Sequence, residues 1–98
     1  MTQASSWFVY LVRTKHNTLY CGITTDVKRR FLEHQNGVGA KALRGRGPLC
    51  LAWFQSVEGG RSFASKLEHK IKKLPKKTKE RMIYEQLSWQ DVICVKED

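Results

Sequence analysis

Two bulky apolar runs near the start of the chain, Trp7 to Val12 (WFVYLV) and Thr18 to Ile23 (TLYCGI), are separated by little more than Lys15-His16-Asn17. The first is apolar at every position, which suits a strand covered on both faces, so it is expected at the centre of a sheet. The spacing suits a three-residue hairpin loop with Asn17 in the left-handed conformation. If Thr14 then pairs with Thr18, Tyr10 falls opposite Gly22 and Tyr20 opposite Val12. Both tyrosines project from one face as diagonal neighbours, and a loop one residue longer or shorter would break that arrangement. Gly22 beside them removes a side chain where a backbone or a phosphate approaches closely.

The remaining punctuation follows the same logic. Thr25 or Asp26 caps a helix running to about Asn36, with Gly37 as its stop and Val27 and Phe31 on its buried stripe. Arg30 and His34, one turn apart, share a face of it that leans toward the sheet edge. Gly37 to Pro48 (GVGAKALRGRGP) reads as a basic loop, too flexible in composition to pack, carrying Lys41, Arg44 and Arg46. A third strand spans Leu49 to Val57, and Gly59-Gly60 breaks the chain before a helix. That helix sets Phe63, Leu67, Ile71 and Leu74 on one face and Lys66, Lys70 and Lys73 on another, with Pro75 as its end. A third helix is expected over Lys79 to Leu87, held by Met82, Ile83 and Leu87, with Trp89, Val92, Ile93 and Val95 lying back over the core. The expected fold is an α/β (α+β) domain over residues 7–87: a small, mostly antiparallel three-stranded sheet flanked by helices, in the order β-β-α-β-α-α. Residues 1–6 are read as a disordered lead and 88–98 as a tail.

Charge narrows the function. Eighteen Lys and Arg against nine Asp and Glu give a net charge of +9 on 98 residues, a field that attracts polyanions and makes binding salt-sensitive. Nucleic acid is the first partner to consider. A membrane surface ranks lower, because no stretch joins a basic face to a bulky aromatic one. Met1 to Ser6 has no signal-peptide character and no 18-residue apolar span occurs, so a cytoplasmic location is expected. Cys21, Cys50 and Cys94 are odd in number and form no CxxC pair, and are read as packing residues.

Tyr10 in FVY, Tyr20 in YCG ten positions on, Gly22, Arg30, His34 and Glu68 together resemble the GIY-YIG endonuclease superfamily. The likeness covers residues 7 to about 84 and is greatest to its small single-domain bacterial branch, through YCGITTDVKRRFLEH, the GAKALRGRGP loop and a basic helix carrying a glutamate. FVY stands here for GIY and YCG for YIG, and the late asparagine that many members use has no counterpart after Asn36. The resemblance implies a magnesium-dependent DNA endonuclease or exonuclease, with Mn²⁺ a substitute for Mg²⁺ and RNA not excluded as substrate. Glu68 would bind the metal, Arg30 would fork onto non-bridging phosphate oxygens, and Tyr10 or Tyr20 would orient or deprotonate water. His34 would hold a tyrosine or take up a proton.

Lys41, Arg44 and Arg46, with Lys66, Lys70, Lys72 and Lys73, would grip phosphates without reading sequence, so selectivity is expected for shape. The alternative is a non-catalytic nucleic-acid-binding module that keeps the fold. Targeting in either case would come from a separate protein partner, for which the chain has no attached domain. Plainer readings stand beside these. Tyr10 and Tyr20 as half-buried sheet residues, and Glu68 as a surface partner of Lys72, need no ligand at all.

Overall fold

The computed structural model describes residues 6–93; expectations placed on residues 1–5, and on Cys94 and Val95, lie outside the described residues. Strand β1 (Trp7–Arg13) pairs antiparallel with β2 (Leu19–Thr24). The turn between them forms as its residues dictate. Asn17 takes φ 65°, the Thr14 N–H donates to the Thr18 carbonyl at 3.0 Å, and the two threonine hydroxyls meet at 2.6 Å. Tyr10 therefore pairs with Gly22 and Val12 with Tyr20.

Strand β3 (Cys50–Val57) joins the other side of β1, giving an all-antiparallel sheet of order β2-β1-β3. A bulge interrupts this ladder, since Leu11 pairs with Trp53 while Val12 pairs with Leu51, leaving Ala52 unmatched. The extra residue resets the alternation of β3. Trp53 consequently joins Leu11 on one face and Leu51 joins Val12 on the other.

The two faces carry unequal cores. On one, Val9, Leu11, Cys21, Trp53 and Val57 pack against helices α2 (Gly60–Lys72) and α3 (Lys76–Glu85) through Ala64, Leu67, Ile71 and Met82. The recurrence of Ala64, Leu67 and Ile71 at helical spacing explains why α2 lies along the sheet. On the other face, Tyr10, Val12, Leu43 and Leu49 form a smaller cluster, with Tyr20 and Phe31 partly buried against it. Helix α1 (Val27–Gln35) borders it, and begins where the Asp26 carboxylate accepts from the Arg29 N–H at 3.0 Å.

Several expectations are corrected. Val27 and Phe31 are only half-buried, and the side chain α1 buries fully is His34. The segment after α1 is not a featureless basic loop: Lys41–Leu43 forms a 3₁₀ turn that drives Leu43 to 2% exposure, because that apolar side chain has a pocket beside Tyr10 and Leu49. Helix α2 ends at Lys72, before Pro75, and Pro75 instead caps α3, its carbonyl accepting from the Thr78 and Lys79 N–H groups. The third helix therefore starts three residues earlier than its apolar positions suggest. Cys50 is exposed at the sheet end, opposite Arg13, and is not a packing residue, whereas Cys21 is buried.

After α3, a one-turn helix α4 (Trp89–Val92) is held by reciprocal Ser88 and Asp91 capping bonds. Trp89 packs on Phe63 with ring centroids 5.6 Å apart. Arg13 makes a two-pronged ion pair with Glu80 of α3, both contacts at 2.7 Å, tying the hairpin end to the helical layer. Among the described residues, no helix is long and apolar enough to cross a membrane.

Candidate active site

Tyr10, Tyr20 and His34 meet on the α1 side of the sheet. The hairpin register puts both tyrosines on that face, and their ring centroids lie 6.4 Å apart. His34 comes down from the last turn of α1, 5.8 Å from the Tyr10 ring and 5.6 Å from the Tyr20 ring. The tyrosines differ in their surroundings. Tyr10 is 2% exposed and sits over Gly22, where a Cβ would run into its hydroxyl, whereas Tyr20 is half-buried at the β2 edge. Burial, with Tyr20 nearby, pushes the Tyr10 phenol up to about 12 against the opposing pull of Arg30. Burial also raises Tyr20, while Lys72 and Arg30 draw it back down.

His34 is bonded at both ring nitrogens. Its Nε2 lies 2.8 Å from the Tyr10 hydroxyl, and its Nδ1 lies 3.1 Å from the backbone nitrogen of Ala40. Burial and then the charge of Arg30 lower its pKa, which favours a neutral ring. Arg30, one turn before it on α1, bonds Glu33 at 2.9 Å and lies near enough to Tyr10 to act on its hydroxyl.

Glu68 and Lys72 reach the same region from α2, on the other side of the β2 edge. They form an ion pair at 2.9 Å, and the Lys72 ammonium lies 6.0 Å from the Tyr20 ring centroid. Glu68 is thus Lys72's partner, as the plain reading has it, and it also lies close enough to Tyr20 and Cys21 to raise both. Among the described residues, no three His, Cys, Asp or Glu side chains converge as a ready-made metal cage.

The basic residues divide into three places. Lys72 stands at the tyrosines. Lys41, Arg44 and Arg46 lie in and after the 3₁₀ turn, where the Arg46 carbonyl accepts from the Lys15 N–H at 3.1 Å and so holds the hairpin turn against the loop. Lys66, Lys70 and Lys73 instead line the outward trough of α2 with Arg61, Ser65 and His69, away from the tyrosines. That division follows from helical geometry, since Lys72 is half a turn round from Lys70.

Gly39 and Ala40 open the GAKALRGRGP loop, but nothing in the sequence marks them as site residues, yet they touch His34 directly. A Cβ on Gly39 would overlap the His34 Nδ1, so only glycine leaves the imidazole its place.

The chain is similar to known proteins over the stretch that contains these residues. Residues 6–81 match the GIY-YIG catalytic domain family. A UPF0213 protein of Vibrio cholerae serotype O1 is 62% identical over 79 residues, which cover 81% of this chain and 78% of that protein. The UPF0213 protein YhbQ of Escherichia coli O139:H28 is 51% identical over 87 residues, 89% of this chain and 86% of that one. The solution structure of a UPF0213 protein from Bacillus halodurans superposes with a TM-score of 0.51 at 35% identity, covering 81% of this chain and 83% of that chain. A catalytic-domain match across the tyrosines, α1 and Glu68, joined to relatives at this level of identity, places the chain in the GIY-YIG nuclease family, in its UPF0213 branch.

Proposed function

We propose that the protein is a magnesium-dependent DNA nuclease that hydrolyses phosphodiesters at the β2 edge and selects its substrate by shape. The observation that carries this reading is the meeting, at one sheet edge, of Tyr10, Tyr20, His34 and Arg30 from one side with Glu68 and Lys72 from the other.

Glu68 suits a cation that keeps most of its own water. Its side chain is 19% exposed, and a single carboxylate beside an open edge fits Mg²⁺, which takes its other ligands from water and phosphate oxygens. Mn²⁺ would serve in its place. Such an ion neutralises charge developing on the phosphate and on the departing oxygen.

The chain's own residues supply the rest. Arg30 presents a planar fork to the non-bridging oxygens, which Lys cannot imitate. Tyr20, the more accessible phenol, orients the attacking water; burial leaves its pKa raised although Lys72 and Arg30 offset part of the rise, so the ionised form that would accept the water's proton needs further positive charge beside it. Tyr10 is too deeply buried to meet that water, and it supports the site from behind. Lys41, Arg44 and Arg46 hold phosphates beside the site. Lys66, Lys70 and Lys73 hold a more distant stretch of backbone, so a bent or branched substrate would engage both surfaces.

The test is a cleavage assay on labelled duplex, flap, branched and single-stranded DNA and on RNA, with Mg²⁺ or Mn²⁺, for wild type, Glu68→Ala, Arg30→Lys and Tyr20→Phe. Product from wild type alone, abolished by chelator, is the expected result. Equal traces from all four proteins with salt-sensitive binding intact would replace this reading with a non-catalytic binding module.

A further inference from the structure

The bonds around His34 fix where its proton sits. A backbone N–H can only donate, so the Ala40 N–H makes the His34 Nδ1 an acceptor, and that nitrogen carries no hydrogen. In a neutral ring the hydrogen is then on Nε2, and the 2.8 Å contact with Tyr10 is an Nε2–H donating to the phenol oxygen. The opposite tautomer would set an N–H against the Ala40 N–H inside a site where His34 is 2% exposed, leaving two buried donors facing each other. Gly39 makes the arrangement sterically possible, because any Cβ there would displace the imidazole from the Ala40 N–H. The backbone of Gly39 is not in the left-handed region, so the demand for glycine comes from the imidazole and not from φ.

We infer that Gly39 and the Ala40 N–H are positioning elements that lock His34 as an Nε2–H donor to Tyr10. This rests on the proposed nuclease reading for its functional consequence. In this arrangement His34 does not collect the proton of Tyr10. It holds the phenol oxygen as an acceptor, and Arg30 acts on that same oxygen from the next turn of α1. The loop that carries Lys41, Arg44 and Arg46 is thereby joined through two backbone positions to the tyrosine pair, so loop geometry and tyrosine geometry change together.

The lock is read directly by long-range ¹H–¹⁵N correlation spectroscopy of the imidazole in the full chain, which distinguishes the two neutral tautomers whether or not the protein cleaves anything. Wild type is expected to show Nε2–H, and Gly39→Ala to show a mixture or the other tautomer. An Nδ1–H ring in wild type, or an unchanged ring in Gly39→Ala, would overturn the lock. The functional half is read with His34→Gln, whose side-chain amide offers an N–H donor where Nε2 stands but cannot take up a proton. That variant is expected to keep kcat within about tenfold of wild type while His34→Ala loses far more, and Gly39→Ala is expected to lower kcat with KM little changed. Equal loss in His34→Gln and His34→Ala would make His34 a proton acceptor and refute the positioning role. Wild type inactive on every nucleic acid, with the Nε2–H signature present, would remove the nuclease reading and leave the lock standing.

Discussion

Gly22→Ala is a sharp test of the tyrosine geometry. Gly22 is not in the left-handed region, so alanine strains no dihedral there, and its whole effect comes from what the new methyl meets. That methyl would lie 2.7 Å from Tyr10 Cζ and 3.2 Å from Cε2, well inside ordinary contact. The ring cannot retreat easily. Tyr10 is 2% exposed, packs with Val12, Leu43 and Leu49, and is bonded to His34. Overpacking of this kind costs about 1–3 kcal/mol. A shift of about 4–8 °C per kcal/mol is usual for a domain this size, so a cost near the middle of that range lowers Tm by roughly 8–16 °C. Thermal and urea unfolding of wild type, Gly22→Ala, Tyr10→Phe and the double variant would measure it. Removing the hydroxyl relieves part of the clash, so the double variant should be less destabilised than the sum of the singles. A Gly22→Ala protein within about 0.5 kcal/mol of wild type, or strict additivity of the two changes, would show that Tyr10 does not lie over Gly22.

Other consequences are as direct. The folded-state pKa of His34 is lowered below the ordinary value of about 6.5, so the native state binds fewer protons than the unfolded chain; stability is fully present above that value and falls as pH drops below it. Urea midpoints from pH 7.5 to 5 should decline for wild type and be flatter for His34→Gln, and parallel curves would reject the assignment. Glu80 is held at about 2 by Arg13 and then Lys76, a lowered carboxylate whose contribution is present above its ordinary value of 4.5 and lost as pH falls toward 2. Its partial exposure screens the pair, so Glu80→Gln should cost only about 0.5–1 kcal/mol at pH 7, and nothing near pH 2, in denaturant titrations. Leu43→Ala should cost about 2–3 kcal/mol and weaken DNA binding through the neighbouring cations; a neutral result would mean the 3₁₀ turn does not anchor the loop.

Much of the site was legible because it depends on short-range rules. The hairpin loop fixes the register, the register puts Tyr10 and Tyr20 on one face, and one helical turn brings Arg30 and His34 round together. What escaped the sequence depends on contacts between distant segments. The bulge at Ala52 exists because Trp53 and Leu51 must face opposite cores, and nothing local to β3 announces that. Nothing in the glycine-rich stretch Gly37 to Pro48 singles out Leu43, and only the pocket beside Tyr10 gives it a reason to turn inward. Glu68 reads in the sequence as the metal-binding residue, with a surface pairing to Lys72 as the plainer alternative; it makes the Lys72 ion pair, and only the approach of α2 to β2 brings that pair to Tyr20. Pro75 reads in the sequence as the end of α2, although a proline serves equally at the start of the next helix, where the structure has it.

The unequal cores predict where the domain opens first. Helix α2 buries Ala64, Leu67 and Ile71, each at 1% exposure or less, while α1 buries one side chain fully, and that one is a histidine. Burial of apolar area is the main force holding a helix to a sheet, so α1 has far less of it than α2. Its anchorage comes instead from the His34 bonds to Tyr10 and Ala40 and from Phe31 at the cluster's margin. Regions with few buried apolar contacts exchange through local opening, below the free energy of global unfolding. Native-state hydrogen exchange should therefore give the slowest α2 amides the global value and the α1 amides a smaller one. Weakening the His34 bonds should lower α1 further and leave the opening of α2 tied to the global transition. Protection of α1 equal to that of α2 would place the main support of α1 in contacts other than His34. With the predicted difference, the face bearing the tyrosines is the one able to loosen around a substrate while the larger core keeps the fold.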